Sequence, residues 1–168
     1  PPRSTLFPYT TLFRSLSLNV SPGLLLDSKL IEFFKYEISK YAIGPELIVI
    51  EIPENTFVGN LEQIYDQIRK LRQIGMKIAI DDFGREYSSL SVLTAIDFDL
   101  IKIDRFFIEH INKPTNKEII QMILRIAKNN QKTVIAEGIE TKDQSDQLIE
   151  YGCIYHQGFY YARPKKLV

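Results

Sequence analysis

The chain has one cysteine, two histidines, no excess of charge of either sign and no long apolar run. Each shortage removes a class of protein. With Cys153 alone no intrachain disulfide can form, which suits a reducing, cytoplasmic setting. Cys153 falls in a helix-to-strand connection, where packing is its expected role. His110 and His156 lie far apart, so there is no Cys/His cluster of the kind zinc favours. Lys+Arg and Asp+Glu balance at 21 each, which argues against binding nucleic-acid polymers. No segment approaches the ~18 apolar residues that cross a bilayer, and there is no secretory signal. No membrane contact is expected from this segment.

The first fifteen residues, PPRSTLFPYTTLFRS, carry no acid and no helical or alternating period. They resemble the read-through translation of a common DNA-sequencing adapter. The expectation is therefore that 1–15 is an artefact, disordered or laid loosely on the surface. The domain proper is expected at 16–168, with whatever preceded Leu16 lost.

From Leu16 onward, six short apolar segments recur: Leu16–Val20, Leu47–Ile52, Lys77–Ile80, Leu100–Ile103, Thr133–Ala136 and Ile154–His156. Helical stripes lie between most of them. Ile31, Phe34, Ile38 and Tyr41 form one, ended by Gly44-Pro45, and Leu61, Ile64, Ile68, Leu71 and Ile74 form another, closed by Gly75. Thr115 with Glu118, and Thr141 with Gln144, have the spacing of capping boxes. Short strands alternating with amphipathic helices specify parallel βα units. The fold class is α/β, a partial (β/α)8 barrel of about six units with its first strands missing. A whole barrel takes about 250 residues, so Leu16–Val20 is predicted to have an unpaired edge.

Every strand carries a polar side chain at its carboxyl end. In order these are Asn19, Glu51 (with Glu54 three residues on), Asp81 with Asp82, Lys102, Glu137 and Gln157. One such residue is explained as a cap or turn; six in register are not. In a parallel barrel those ends share the face on which active sites lie. An all-oxygen donor set favours Mg²⁺ or Mn²⁺. Several carboxylates can hold two such ions for in-line attack of water on a phosphodiester, with Lys102 offsetting their repulsion and Glu137 as a general base.

The stretches LSLNVS, VIEIPE, IAIDDFGREYSSL, LIKID, VIAEGIET and HQGFYYARP resemble, in order and spacing, the motifs of the EAL domain. The resemblance covers essentially all of Leu16–Val168. It implies hydrolysis of cyclic di-GMP to pGpG with Mg²⁺ or Mn²⁺. It places Asn19, Glu51, Asp81 and Asp82 at metal-ligand positions and Glu137 at water activation or metal binding. It sets Lys102 beside the catalytic water and metals. Glu140 becomes a supporting acid, Gln157 a polar neighbour of the site, Arg163 a substrate-side residue, and Glu54 a brace for the loop after the Asp pair. That loop is also a possible homodimer contact, and lost upstream domains can tether a parent protein to a membrane.

Three departures bear on activity. The Glu-Ala-Leu motif that names the family is expected upstream of Leu16 and is absent. Arg85 and Glu86 stand where the family loop usually has Thr and Gly. The chain also ends soon after Arg163-Pro164. The leading expectation is an active phosphodiesterase in the intact parent, with this fragment inactive. The rival is a degenerate EAL domain that senses cyclic di-GMP or binds a protein partner.

Overall fold

The computed structural model describes residues 15–57, 61–85 and 90–166. The segment read as adapter therefore lies, but for Ser15, outside the described residues. Six strands form one wholly parallel sheet in chain order: β1 (Leu16–Asn19), β2 (Ile48–Pro53), β3 (Lys77–Phe83), β4 (Leu100–Ile103), β5 (Thr133–Ala136) and β6 (Tyr155–His156). The helices are α1 (Pro22–Leu25), α2 (Leu30–Tyr41), α3 (Leu61–Ile74), α4 (Leu90–Ala95), α5 (Arg105–Glu109), α6 (Pro114–Asn129) and α7 (Lys142–Glu150). Together they make a half-barrel. β1 and β6 each have a single neighbour, so the described sheet is open at both edges. Leu16, on the β1 edge, is 49% exposed.

Register explains why the site forms. Glu51 pairs with Ala79, Ala79 with Leu100, and Leu100 with Thr133. Side chains alternate with a period of two. Hence Val49 and Glu51, Ala79 and Asp81, Leu100 and Lys102, and Ile135 and Glu137 share one face. The opposite face carries Ile50, Ile52, Ile78, Ile80, Ile101, Ile103, Val134 and Ala136, all within the hydrophobic core. Helices cover it: α3 contributes Ile64, Ile68 and Leu71, and α6 contributes Ile120, Ile123 and Ala127. A slip of one residue in any strand would exchange the two sets, so burial of the isoleucines enforces the placement of the acids.

Helix ends differ from expectation in two places. α6 starts at Pro114, with Lys113 as N-cap and no side-chain cap bond, so Thr115 sits inside the first turn rather than capping it. The fixed φ of Pro114 begins the helix before a Thr cap can form. α2 stops at Tyr41 because Ala42 turns left-handed (φ 51°), ahead of Gly44-Pro45. At α7 the box is complete. Thr141 Oγ1 accepts from the Gln144 N–H, and Gln144 Oε1 accepts from the Thr141 N–H.

Cys153 is buried in the core, and burial pushes its thiol up to about 11. It is expected to resist alkylation by a maleimide at pH 7 until the chain is unfolded in urea; labelling of the folded protein as fast as of the unfolded would contradict its packing. Leu71 is fully buried, and Leu71→Ala is expected to cost ~2–5 kcal/mol in urea unfolding through lost transfer energy and a residual cavity.

Candidate metal centre

The carboxyl ends of β2, β3, β4 and β5 converge on the Lys102 ammonium. Its Nζ lies 2.7 Å from Glu51 Oε2, 2.9 Å from Asp81 Oδ1 and 2.8 Å from Glu137 Oε1. The Lys102 side chain is only 5% exposed. Burial alone would lower its pKa, but the carboxylates of Glu137, Glu51 and Asp81 outweigh that and raise it above the usual lysine range. Burial raises Glu137 above the ordinary carboxylate value; Lys102 opposes this, while Asp81 and Glu51 add to it.

The Asp pair sits on a distortion of β3. Ile80 pairs with Ile101 and Phe83 with Ile103, so one more residue on β3 than on β4 spans that interval. β3 thus runs through the Asp pair as a bulge, beyond its expected end at Ile80. Asp82 is left-handed (φ 53°), a conformation Asp tolerates better than most residues. Bulges re-aim side chains beside active sites, and here Asp81, Asp82 and Glu137 each present one oxygen within 4.8 Å of the other two. Glu51 is not in that group; its Oε2 is taken by Lys102. Burial, then the Asp81 charge and the adjacent Asp104, hold the Asp82 carboxyl above its ordinary value, with Arg85 opposing.

The turn after the pair is fixed from below. The Gly84 N–H donates to Glu54 Oε2 at 2.8 Å. Gly84 has φ 96°, and a Cβ there would fall 2.6 Å from the Phe107 ring, so both backbone and space demand glycine. Arg85 Nη1 is 3.9 Å from Asp104 Oδ2. Glu86, and the loop named for a homodimer contact as far as Ser89, lie outside the described residues.

The other candidates occupy the rim. Asn19 is exposed at the end of β1, opposite Glu51 by register. Glu140 and Gln157 line a cleft of about 250 Å³ together with Asp82, Asp104, Glu137 and Phe159. Arg163 is exposed, with its guanidinium 4.6 Å from the Phe159 ring centroid. Asp104 is a site neighbour that reading the sequence missed. It is 2% exposed, touches the cleft and caps α5 by accepting from the Phe106 N–H. Its position after an apolar strand and before a helix was a legible N-cap signal, but nothing in the sequence pointed it toward Asp82.

The donor set fits a hard divalent cation: all atoms are oxygens, and no histidine or cysteine takes part. Fold and site therefore define an α/β half-barrel with an acidic, cation-type centre at its strand ends. The profile of the EAL domain matches residues 8–164, and the chain belongs to that family. It is 34% identical over 152 residues to the cyclic di-GMP phosphodiesterase TpdA of Vibrio parahaemolyticus, covering 90% of this chain and 26% of TpdA. The EAL domain of Mycobacterium smegmatis DcpA superposes with a TM-score of 0.84 at 30% identity, over 89% of this chain and 68% of that one. Klebsiella pneumoniae BlrP1, solved as a manganese/cyclic di-GMP complex, gives 0.85 at 32% identity, over 89% and 39%; it was also solved with calcium. The chain spans about a quarter of the length of the curated relatives it matches.

Lys102→Met is expected to destabilise the fold by ~3–5 kcal/mol at pH 7, because it leaves buried carboxylates facing one another unneutralised. Urea unfolding measures this, and a loss under 1 kcal/mol would mean that the ion pairs are not formed in solution.

Proposed function

We propose that this chain is the core of a cyclic di-GMP phosphodiesterase domain that hydrolyses its substrate to pGpG with Mg²⁺ or Mn²⁺. The observation that carries the reading is the convergence of Glu51, Asp81 and Glu137 from three strands on Lys102, with Asp82 alongside. Family membership and the cyclic di-GMP named for TpdA and BlrP1 support it.

Asn19, Glu51, Asp81, Asp82 and Glu137 would hold the metal, which supplies Lewis-acid charge at the phosphodiester and a nucleophile at neutral pH. Glu137, which presents a carboxylate oxygen beside Asp81 and Asp82, is placed to accept the proton released when water attacks. Lys102 carries a fixed positive charge among the acids and keeps them close, its ammonium being directed at the carboxylates of Glu51, Asp81 and Glu137. Gln157 and Phe159 bound the cleft on the β6 side.

As it stands, the chain is proposed to turn over cyclic di-GMP negligibly. The described sheet is open, whereas phosphoryl chemistry on two cations needs every ligand held to a fraction of an ångström. Arg85, whose guanidinium faces Asp104, favours a second reading: a non-catalytic domain that binds cyclic di-GMP or a protein. Supplying the amino-terminal third of an EAL domain is expected to produce hydrolysis, and Glu137→Gln in that protein to remove at least ~100-fold of it. Chromatographic assay of pGpG decides. Robust hydrolysis by 16–168 alone would refute the inactivity, and binding without cleavage by the extended protein would favour the sensor.

A further inference from the structure

The residues lining the cleft on the β6 side are held by a polar cluster that lies outside the acidic centre. His156 Nε2 is 3.0 Å from the Cys153 carbonyl, which only a ring N–H can satisfy, so Nε2 carries the proton and Nδ1 is an acceptor. The Tyr161 hydroxyl lies 2.6 Å from Nδ1 and donates to it. Ser145 Oγ, on a residue 5% exposed, is 2.8 Å from the Tyr161 oxygen and donates there, with a longer 3.3 Å approach to Nδ1. Three hydroxyl and imidazole groups from α7, β6 and the segment beyond it thus close a ring. Tyr161 is 52% exposed, so packing alone does not keep it there.

The ring spans a single turn. Between His156 and Tyr161 run Gln157, Gly158, Phe159 and Tyr160, of which the first three line the cleft beside Glu137 and Glu140. The backbone of this turn is laced to the segment that carries those acids. The Gln157 N–H donates to the Ala136 carbonyl, the Ile139 N–H to the Gln157 carbonyl, and the Tyr160 N–H to the Ile139 carbonyl. A Cβ on Gly158 would lie 2.1 Å from the Ile139 oxygen, so the two strands of chain touch at van der Waals distance. A shift of the turn is therefore transmitted to Glu137–Glu140. We infer that Ser145, His156 and Tyr161 form a clasp that positions the Gln157–Phe159 turn over the acidic cleft, setting the wall against which a cyclic dinucleotide lies. They are positioning residues: none of them lines the cleft itself. The nucleotide part of this inference rests on the function proposed above.

The test uses the chain as it stands. Long-range ¹H–¹⁵N spectra should show His156 as the Nε2–H tautomer. Tyr161→Phe and Ser145→Ala should each speed amide exchange at Ile139, Gln157 and Tyr160 by tenfold or more, with the amides of Ile50 and Ile78 unmoved. His156→Ala should do the same. His156→Gln, which keeps one donor and one acceptor, should restore exchange to within about threefold of the unaltered chain. Calorimetry with cyclic di-GMP and Ca²⁺ should then show Tyr161→Phe binding at least fivefold more weakly, with Mn²⁺ affinity at the acidic centre unchanged. Exchange at the three amides that ignores Tyr161→Phe would overturn the clasp, as would equal behaviour of His156→Gln and His156→Ala. Exchange that responds as stated while the unaltered chain binds no cyclic dinucleotide would leave the clasp in place and overturn the function proposed for the cleft.

Discussion

A buried ammonium with three carboxylates around it is the interaction on which this structure turns. Lys102 is nearly without solvent, and its partners come from β2, β3 and β5. Such a group is costly to bury and tolerable only when its geometry is nearly complete. Any strand that slid or rotated would strand a charge in the interior. The ion cluster and the isoleucine face beneath it therefore impose the same register, one through the penalty of an unpaired charge and the other through apolar burial. Divalent cations and Lys102 would draw on the same oxygens, so the lysine holds the acids near one another while leaving Asp82 and the free carboxylate oxygens to other ligands.

The second constraint is local. The β3 bulge, the left-handed Asp82 and the positive φ of Gly84 follow one another within four residues. Backbone of this kind persists only where its surroundings over-determine it. Here the Glu54 carboxylate below, the Phe107 ring beside Gly84 and the β4 pairing of Phe83 do so. The strain turns Asp82 toward Asp104 and Glu137, whereas a regular strand would send it to the helix side with Ile80. The acidic cleft is in this sense a product of irregularity in an otherwise regular sheet.

Open edges give the half-barrel a different character from a closed one. Among the described residues β1 and β6 have no strand neighbour along their outer sides, and large apolar side chains such as Ile154 and Tyr155 are exposed nearby. Cohesion rests on the central strands and on α3 and α6, whose stripes bury against them. The rim of the cleft, carried by β6 and the chain beyond it, depends instead on specific hydrogen bonds.

The sequence by itself determined the repeating βα order, five of the six strand cores nearly to the residue, and which strands end in acids. These are properties of period and composition: alternating isoleucines, helical stripes and capping residues act over a few neighbours, so they can be read along the chain. The same local logic failed where two local devices competed, as when Pro114 began α6 ahead of Thr115, and where a bulge carried β3 past Ile80. The tertiary structure alone decided that Lys102 would be the hub rather than a flanking charge, that Asp104 would join Asp82, and that Ser145, His156 and Tyr161 would meet. Each of those contacts joins separate elements, and its existence depends on sheet register, strand distortion and close backbone approach, none of which leaves a period in the sequence.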